Sequence, residues 1–402
     1  MHKESIRLIL LTDFTEAFAY SLLKGILAYS KSHTPWVVCR MPPAYKEQRG
    51  IKGVLKWALK WKADAIIGQF DDSDPVELFK QAGIVVLAQD YQSRFASIPN
   101  ISSEYRLTGR MAADFFLQKG FRNFAFYGYK NTVWSQERCE GFHERLLEQP
   151  FPITFSDYQK KSLKNLWSYE SESLLDWVRS LPKPTALLAC DDNQGNRISE
   201  ICKINDIRIP EDIAVMSIDN DEIVCNLSDP PLTSIELDIA QGGFEAARLI
   251  DQMLHNRHQK NEDVIIRPVG IVERQSTASY ATDDPHILTA LRYIHEHLSG
   301  RITVDDIVRQ VPLSRRLLEI RFRKATGQSI AKYVFNQRMQ RFSHLLLTTD
   351  APITSVAAEV GLTNYSNISR QFGKLNRGTP LEYRKQNRMR IETPNPPTSL
   401  DQ

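Results

Sequence analysis

Acidic side chains follow short apolar runs at several places in the first 280 residues of this 402-residue sequence. If the runs are parallel strands, their carboxyl ends meet at one edge of a sheet, where ligands bind in open α/β folds. Carboxylates, an arginine and an aromatic ring suit a polyhydroxyl ligand, because they exchange hydrogen bonds with hydroxyl groups and cover a C–H face. The candidate ligand-binding residues are Asp13, Phe70, Asp71, Trp134, Arg138, Asp191 and Asp219.

A structural role for these acids stays open. An aspartate just before a helix commonly accepts a hydrogen bond from a first-turn amide, and Asp191 or Asp192 is placed to cap a helix beginning near Gln194. Catalysis is not indicated, because the turn at residues 11–15 has no glycine and the sequence contains no HExxH or GxSxG motif. We therefore expect no catalytic residues, no metal site and no cofactor. The histidines are scattered, and His295 is expected on a helix surface.

Short apolar, β-branched runs alternate with amphipathic stretches up to about residue 280. This alternation predicts parallel βαβ units with helices covering both faces of the sheet. The span is long for one open sheet, so we expect two lobes, with a crossover near Pro150 and Pro152. The predicted fold class is a two-lobed α/β domain with parallel sheets, followed by an all-α domain.

The charge is distributed unevenly along the chain. Residues 283–402 carry 18 Lys or Arg and 11 Asp or Glu, whereas residues 1–282 carry 33 and 37. A basic module attached to a slightly acidic body suits a polyanion. Composition alone is equally compatible with a solvated, basic helical surface.

Two similar helical units follow residue 285. The first has helices over about residues 303–311 and 315–325, and the second over about 353–360 and 365–375. Each pair, with a short turn before a basic helix, is typical of a helix-turn-helix. The helix predicted over residues 329–348 spans roughly 30 Å, close to the roughly 34 Å between successive major grooves on one face of DNA. The two units are therefore expected to enter adjacent grooves of duplex DNA.

The C-terminal third resembles the AraC family of transcription regulators. The resemblance covers about residues 285–384 and rests on LSRRxLxxRFRKxxG at 313–327, IxxVAxxVG at 353–361 and FxKxxxxTPxxYR at 372–384. It implies base contacts from one set of side chains and phosphate contacts from another. The candidate DNA-binding residues are Arg316, Glu319, Ser366, Asn367 and Arg370 for bases, Arg315, Arg323 and Lys374 for phosphates, and in addition Asn364.

The N-terminal part resembles the periplasmic-binding-protein-like sugar domain of the LacI family, without that family's own DNA-binding headpiece. The resemblance rests on SSEYRLTGR at 102–110, RxxGF at 138–142 and IPEDxAV at 209–215. It implies that a sugar is held between the two lobes. The residues to which it assigns that role are Asp13, Trp134, Arg138, Asp191 and Asp219.

Together these features predict a sugar-responsive, sequence-specific transcription regulator, an activator of sugar-catabolism genes whose effector is D-xylose or a related pentose. The predicted segments are a sensing domain over 1–278, a linker over 279–285, a double helix-turn-helix domain over 286–390 and a disordered tail over 391–402. Expected partners are operator DNA in double-stranded form, the sugar, RNA polymerase and a second copy of the chain.

Widely spaced cysteines and the lack of a long apolar run favour a cytoplasmic protein without a membrane partner. Two alternatives remain open. The same architecture would also suit a different small metabolite, and a sugar-processing enzyme with a nucleic-acid-binding tail would share the same two halves.

Overall fold

The computed structural model describes residues 5–14, 16–160, 172–255, 262–278, 280–282, 284–300, 302–362, 365–376 and 379–387. The predicted tail at 391–402 lies outside these residues. Within them, two α/β lobes precede a helical domain, and the predicted fold class is confirmed.

The first lobe is a six-stranded parallel sheet with helices on both faces. Its strands are β1 (Ile6–Leu11), β2 (Trp36–Met41), β3 (Ala65–Gly68), β4 (Val85–Gln89), β5 (Asn100–Ser103) and β11 (Val264–Ile266). Their order across the sheet is β11-β5-β4-β3-β1-β2. Its helices are α1 (Ala17–Ser32), α2 (Pro43–Trp61), α3 (Glu77–Gln81) and α9 (Ile239–His255), and α9 packs on α1.

The second lobe repeats this plan with one difference. Its strands are β6 (Asn123–Tyr129), β7 (Thr154–Lys160), β8 (Thr185–Ala189), β9 (Ile213–Asp219), β10 (Thr233–Leu237) and β12 (Pro268–Val272), in the order β12-β10-β9-β8-β6-β7. The edge strand β12 runs antiparallel to β10, whereas the other neighbours are parallel. The helices are α4 (Tyr105–Gln118), α5 (Val133–Leu147), α6 (Glu172–Ser180), α7 (Asp192–Ile204) and α8 (Glu222–Leu227).

Among the described residues, the chain passes between the lobes three times: from β5 to α4, from β10 to α9 and from β11 to β12. Pro150 and Pro152 lie between α5 and β7, inside the second lobe. The expectation that they mark a crossover is therefore wrong. Prolines occur in turns within a lobe as often as in the segments between lobes. Their positions alone therefore do not show where the chain passes from one lobe to the other.

The helical domain contains both predicted units. Its helices are α10 (Pro285–Glu296), α11 (Val304–Val308), α12 (Arg315–Thr326), α13 (Ile330–Thr348), α14 (Ile353–Glu359), α15 (Tyr365–Asn376) and α16 (Pro380–Asn387). Ser314 caps α12, and Gly327 ends it with a φ of 76°, a left-handed conformation that suits glycine. Leu318 and Phe322 are fully buried on the inner face of α12, as their spacing predicts.

Two helices of the second lobe meet backbone to backbone. A Cβ atom at Gly109 of α4 would overlap the carbonyl oxygen of Arg138, and one at Gly141 of α5 would overlap the carbonyl oxygen of Arg106. Only residues without a side chain allow the two helices this approach. The contact therefore fixes the position of the first turns of α5, which carry Trp134 and Arg138.

Gly109→Ala should lower the free energy of unfolding by about 1–3 kcal/mol, because the added methyl group forces α4 away from α5. Urea titration followed by circular dichroism measures this loss. Gly270→Ala is the matched control, since a Cβ atom there meets nothing within 4 Å. An equal loss in both variants would contradict the close-contact explanation.

Candidate ligand cleft and nucleic-acid interface

Arg138 is the buried cation of the cleft between the lobes. Its Nη2 donates a hydrogen bond to Asp219 Oδ1 at 2.9 Å, and its Nη1 donates to the carbonyl oxygen of Cys190. The side chain is only 4% exposed. Its Nε has no hydrogen-bond partner in the described part of the chain. A guanidinium with an unused donor is suited to bind an oxygen atom of a ligand.

Aromatic rings flank this guanidinium. Its Cζ lies 5.4 Å from the ring centroid of Trp134 and 5.4 Å from that of Tyr105. Trp134 also meets Tyr129 edge to face, with centroids 5.8 Å apart. Cation–π contacts of this kind stabilise the charge and hold the rings at the cleft. The structure thus brings together Trp134, Arg138 and Asp219.

Asp191 and Asp192, adjacent in sequence, have different roles. Asp191 accepts a hydrogen bond from the Gln194 amide at 2.8 Å and so caps α7, while burial raises the pKa of its carboxyl group. Asp192 accepts hydrogen bonds from the hydroxyls of Ser217 and Ser234, and burial and the charge of Asp219 raise its pKa to about 7. Asp192 therefore joins strands β9 and β10, and Asp191 remains at the cleft.

The backbone after β9 adopts an unusual conformation. Asp219 has a φ of 105° and Asn220 a φ of 53°. Positive φ is uncommon for residues with a side chain and costs on the order of 1–3 kcal/mol where it is enforced. The turn presents the Asp219 carboxylate to Arg138 and directs the Asn220 side chain towards Arg274, whose Nη2 donates to Asn220 Oδ1 at 2.8 Å.

Glu16 belongs to the cleft, although the sequence analysis did not propose it. It precedes α1, is open to solvent and makes no capping hydrogen bond. Partial desolvation of its carboxyl group and the charges of Asp191, Asp13 and Asp219 raise its pKa above the usual value for a glutamate. The missed signal was its place three residues after Asp13, at the start of a helix following the first strand.

Phe70 and Asp71 make their described contacts within the first lobe. Phe70 is 1% exposed and packs in the core of the first lobe, 6.2 Å from Phe95 and 6.3 Å from Phe79 between ring centroids. Asp71 forms an ion pair with Lys46 at 2.9 Å. We expected both at the ligand edge, but a large ring at the end of a buried strand gains more from burial in the core.

Arg94 joins the two lobes at the rim of the cleft. From the loop after β4 its Nη1 and Nη2 bind both carboxylate oxygens of Glu137 on α5, at 2.7 and 2.9 Å. Its Nε donates to Asp90 at 3.0 Å. This pair depends on how the lobes face each other, so no local pattern in the sequence predicts it. The two-point geometry holds the lobes in one relative orientation.

Arg94→Ala should shift the unliganded protein towards a more open form, because the lobes lose their two-point contact. Small-angle X-ray scattering should show a larger radius of gyration than in the parent chain. Arg106→Ala is the matched control, since Arg106 pairs with Glu140 and Glu144 inside the second lobe. An unchanged radius for Arg94→Ala would mean that this ion pair does not hold the lobes together.

A buried polar cluster connects the second lobe with the helical domain. Glu273 accepts a hydrogen bond from Lys119 Nζ at 2.6 Å, and the two side chains are 10% and 4% exposed. The same carboxylate lies 4.0 Å from His295 Nε2 on α10, and that nitrogen is 2.8 Å from the hydroxyl of Tyr333 on α13. Arg292 of α10 also pairs with Glu211 of the second lobe.

His295 is therefore not the surface residue that we expected. Its side chain is 7% exposed, and burial lowers its pKa to about 4. Its position on a helix beside Glu296 gave no indication that a second domain packs against it. A neutral histidine at this contact accepts or donates a hydrogen bond without a buried charge.

The first helix-turn-helix unit presents some of the predicted DNA-binding side chains. Arg316 and Arg323 are exposed on α12. Arg315 is also exposed and pairs with Asp305 at 2.9 Å. Glu319 is half-buried, and its Oε2 accepts a hydrogen bond from the Ile330 amide at 3.3 Å. In this conformation Glu319 therefore stabilises the start of α13, a role that the sequence analysis did not anticipate.

The second unit is described in part. Arg370 is exposed on α15. Ser366, Asn367 and Lys374 are on the same helix, but their side chains, like the whole of Asn364, lie outside the described part of the chain. The exposed arginines on α12 and α15 are the arrangement expected for two helices that contact duplex DNA.

Arg338 fixes the spacing of the two units. From α13 it donates to the carbonyl oxygens of Leu298, Gly361 and Gly300 at 3.0, 3.1 and 2.6 Å. It thus ties the long helix to the end of α10 and to the turn after α14. With 19 residues, α13 is about 28 Å long at 1.5 Å per residue, close to the roughly 34 Å repeat of the major groove.

Comparison with known proteins agrees with this architecture. Residues 113–277 match the periplasmic binding protein-like domain, and residues 307–386 match a helix-turn-helix domain. The chain joins a periplasmic-binding-protein-like domain to an AraC-type helix-turn-helix domain. This is the composition of a DNA-binding transcription regulator.

Several relatives match the chain over most of its length. The chain is 29% identical over 331 residues to the xylose operon regulatory protein of Haemophilus influenzae, covering 80% of this chain and 84% of that protein. It is 24% identical over 389 residues to the protein of the same name from Escherichia coli K12, covering 95% and 97%. A solved structure of the xylose-binding transcription activator xylR is 25% identical, with a TM-score of 0.60, and covers 97% of this chain and 100% of that one.

Two kinds of feature are absent from the described residues. No helix there is both long and apolar enough to cross a bilayer. No group of three or more His, Cys, Asp or Glu side chains in the same residues is arranged to hold a metal ion.

Proposed function

We propose that this chain is a sugar-responsive transcription activator whose effector is D-xylose or a closely related pentose. The observation that carries the proposal is the buried Arg138, which is flanked by two aromatic rings and paired with Asp219, and whose Nε donor has no partner among the described residues. The guanidinium of Arg138 offers hydrogen-bond donors, the carboxylate of Asp219 offers an acceptor, and the aromatic rings offer flat apolar faces. These are the groups that a small, neutral polyol requires.

The pentose assignment draws on the relatives, two of which are named for the xylose operon. A phosphorylated or acidic metabolite is less suited to the cleft, because the carboxylates of Asp13, Asp191 and Asp219 lie near the guanidinium of Arg138. Like charges at this range repel an anionic ligand. The cleft chemistry therefore favours a neutral ligand.

Transmission to DNA has a physical route in the buried polar cluster. Asp219 contacts the ligand cleft, Asn220 follows it and accepts a hydrogen bond from Arg274, and Glu273 precedes Arg274 in sequence. Glu273 in turn contacts Lys119 and approaches His295 of the DNA-binding domain. A sugar that changes the position of Asp219 therefore acts on groups that hold the two domains together. It shifts DNA binding only by its different affinity for the two arrangements.

The remaining features of the proposal concern assembly and location. Two helix-turn-helix units in one chain occupy adjacent grooves, so a homodimer would contact four and recognise long or repeated half-sites. We propose that the regulator acts in the cytoplasm, as a homodimer, on promoter DNA and together with RNA polymerase. No reaction is proposed, and the expected result of incubating the protein with excess sugar is unchanged sugar.

Asp219→Asn and Arg370→Ala should separate the two functions. Asp219→Asn removes the charge paired with buried Arg138 and should weaken D-xylose binding at least about 30-fold, with DNA binding retained.

Arg370→Ala should weaken binding to a selected DNA site by about 1–3 kcal/mol and relax one base preference, with sugar binding retained. Calorimetry with a pentose panel and fluorescence anisotropy on sites selected from random duplexes measure these effects.

Arg309→Ala is the matched control for DNA binding, because Arg309 is exposed in the same domain and pairs with Asp306 on α11. It should leave the base preference unchanged. If the protein bound a different metabolite and no sugar in the panel, that metabolite would replace D-xylose as the proposed effector. Conversion of a bound sugar into product would favour an enzyme.

Asn220→Gly should weaken the coupling between the two sites. Glycine accepts the positive φ at this position, while the hydrogen bond from Arg274 is lost. The factor by which xylose changes DNA affinity should fall towards one, with each separate affinity within about three-fold of the parent. Asp206→Gly is the control, since Asp206 also has a positive φ, of 55°, but lies after α7. Full coupling in Asn220→Gly would exclude this route.

A further inference from the structure

The outward face of α12, the second helix of the first helix-turn-helix unit, has an apolar side chain at its centre. Ile320 is 57% exposed, whereas Leu318 and Phe322 are fully buried and pack α12 on its own domain. At about 100° per residue, Ile320 points directly away from the middle of this buried face. It therefore lies where the helix projects farthest into solvent.

Cations surround Ile320 on the same face. Arg316 lies one turn before it, and Arg323 and Lys324 lie one turn after it, because residues three and four apart are neighbours on a helix surface. The side chains of all three cations are exposed. This positive charge suits the phosphate groups that border a groove of duplex DNA. The apolar centre of the face, in contrast, cannot form a hydrogen bond.

A major groove offers few partners to an apolar side chain. Each base pair presents hydrogen-bonding groups there, and the apolar group among them is the C5-methyl group of thymine. A hydrogen-bonding base edge that faced Ile320 would lose its bonds to water without replacement, which is unfavourable. The chemistry of this helix face therefore favours a thymine opposite Ile320.

We propose that Ile320 is a specificity-determining residue that contacts the C5-methyl group of a thymine in the DNA site, while the cations around it hold the duplex. This inference rests on the proposed sequence-specific DNA binding and adds one residue and one base to it. The sequence analysis did not propose Ile320, because isoleucine on a helix is more often a core residue. Its exposure at the centre of a cationic face is the observation that distinguishes it.

Replacement of single thymines by deoxyuridine tests this contact, since deoxyuridine lacks the C5-methyl group and keeps every hydrogen-bonding group of the base. Sites are first selected from random duplexes with the full-length parent, and each thymine is then replaced in turn. Fluorescence anisotropy should reveal a thymine whose replacement weakens binding of the parent about four-fold, the effect of burying one methyl group.

Ile320→Ala completes a double-mutant cycle with that thymine. The variant should bind the thymine site at least about four-fold more weakly than the parent does. It should bind the thymine and deoxyuridine forms with affinities equal within about 1.5-fold, because no side chain then reaches the methyl group. Ile320 is exposed, so its replacement is not expected to disturb folding, and thermal unfolding followed by circular dichroism verifies this.

Two further variants serve as controls. Ile204→Ala removes an equally apolar, exposed side chain at the end of α7 in the second lobe. It should keep the DNA affinity of the parent and its sensitivity to the methyl group. Leu317→Ala removes the apolar neighbour of Ile320 at the edge of the same face. It should retain the difference between thymine and deoxyuridine.

The outcomes separate this inference from the function on which it rests. Equal methyl sensitivity in Ile320→Ala and the parent, loss of that sensitivity in Leu317→Ala alone, or no sensitive thymine in the parent would overturn the role of Ile320 and leave sequence-specific binding intact. Unchanged DNA binding by Ile320→Ala, combined with weaker promoter activation by RNA polymerase in vitro, would overturn it in favour of a protein contact. Failure of the parent to prefer any sequence over random duplex would overturn the proposed function itself.

Discussion

The guanidinium of Arg138 is a positive charge held almost entirely out of water, and the cleft is arranged around it. An unpaired buried charge costs on the order of several kcal/mol, so partners must surround it. Asp219, the carbonyl oxygen of Cys190 and the rings of Trp134 and Tyr105 provide that compensation. They leave the Nε donor without a partner among the described residues, and this makes the ion pair a candidate binding site. We propose that the carboxylates around it make the cleft selective for neutral ligands.

The ion pair between Arg138 and Asp219 also constrains the conformation of the backbone. Arg138 reaches Asp219 only if the first turns of α5 are held close to α4, which the glycines at the helix contact permit. Asp219 in turn adopts a positive φ, and so does Asn220 beside it. Strain of this kind persists where the surroundings enforce it. Here the enforcing contacts are Arg138 on one side and Arg274 on the other, so the strained turn lies between the ligand cleft and the contact with the DNA-binding domain.

The sequence predicted well those features that depend on residues close together in the chain. Strand ends locate Asp191 and Asp219, and capping residues such as Ser314 and Gly327 locate helix ends, because both depend on neighbours in the chain. The features that the sequence did not predict form only where two separate parts of the protein come into contact. Glu16 and Arg94 acquire their roles only when the lobes face each other, and His295 is buried by another domain. Phe70 packs in the core of the first lobe, and an aromatic ring after a strand is equally compatible with ligand stacking and core packing.

The energies of these contacts indicate which of them control closure. Arg94 and Glu137 are partly exposed, and exposed ion pairs contribute about 0–1 kcal/mol. Shifting a two-state equilibrium from about 1:99 to 99:1 requires roughly 5.5 kcal/mol of differential binding. The rim contact is therefore too weak to switch the protein and instead sets the orientation in which the lobes meet. The larger differences belong to the buried groups, since a ligand that occupies the Nε donor of Arg138 and the acceptors opposite it binds only when both lobes contribute. We therefore propose that the strength of the response to sugar is determined at Arg138, and that its transmission depends on the strained turn beside it.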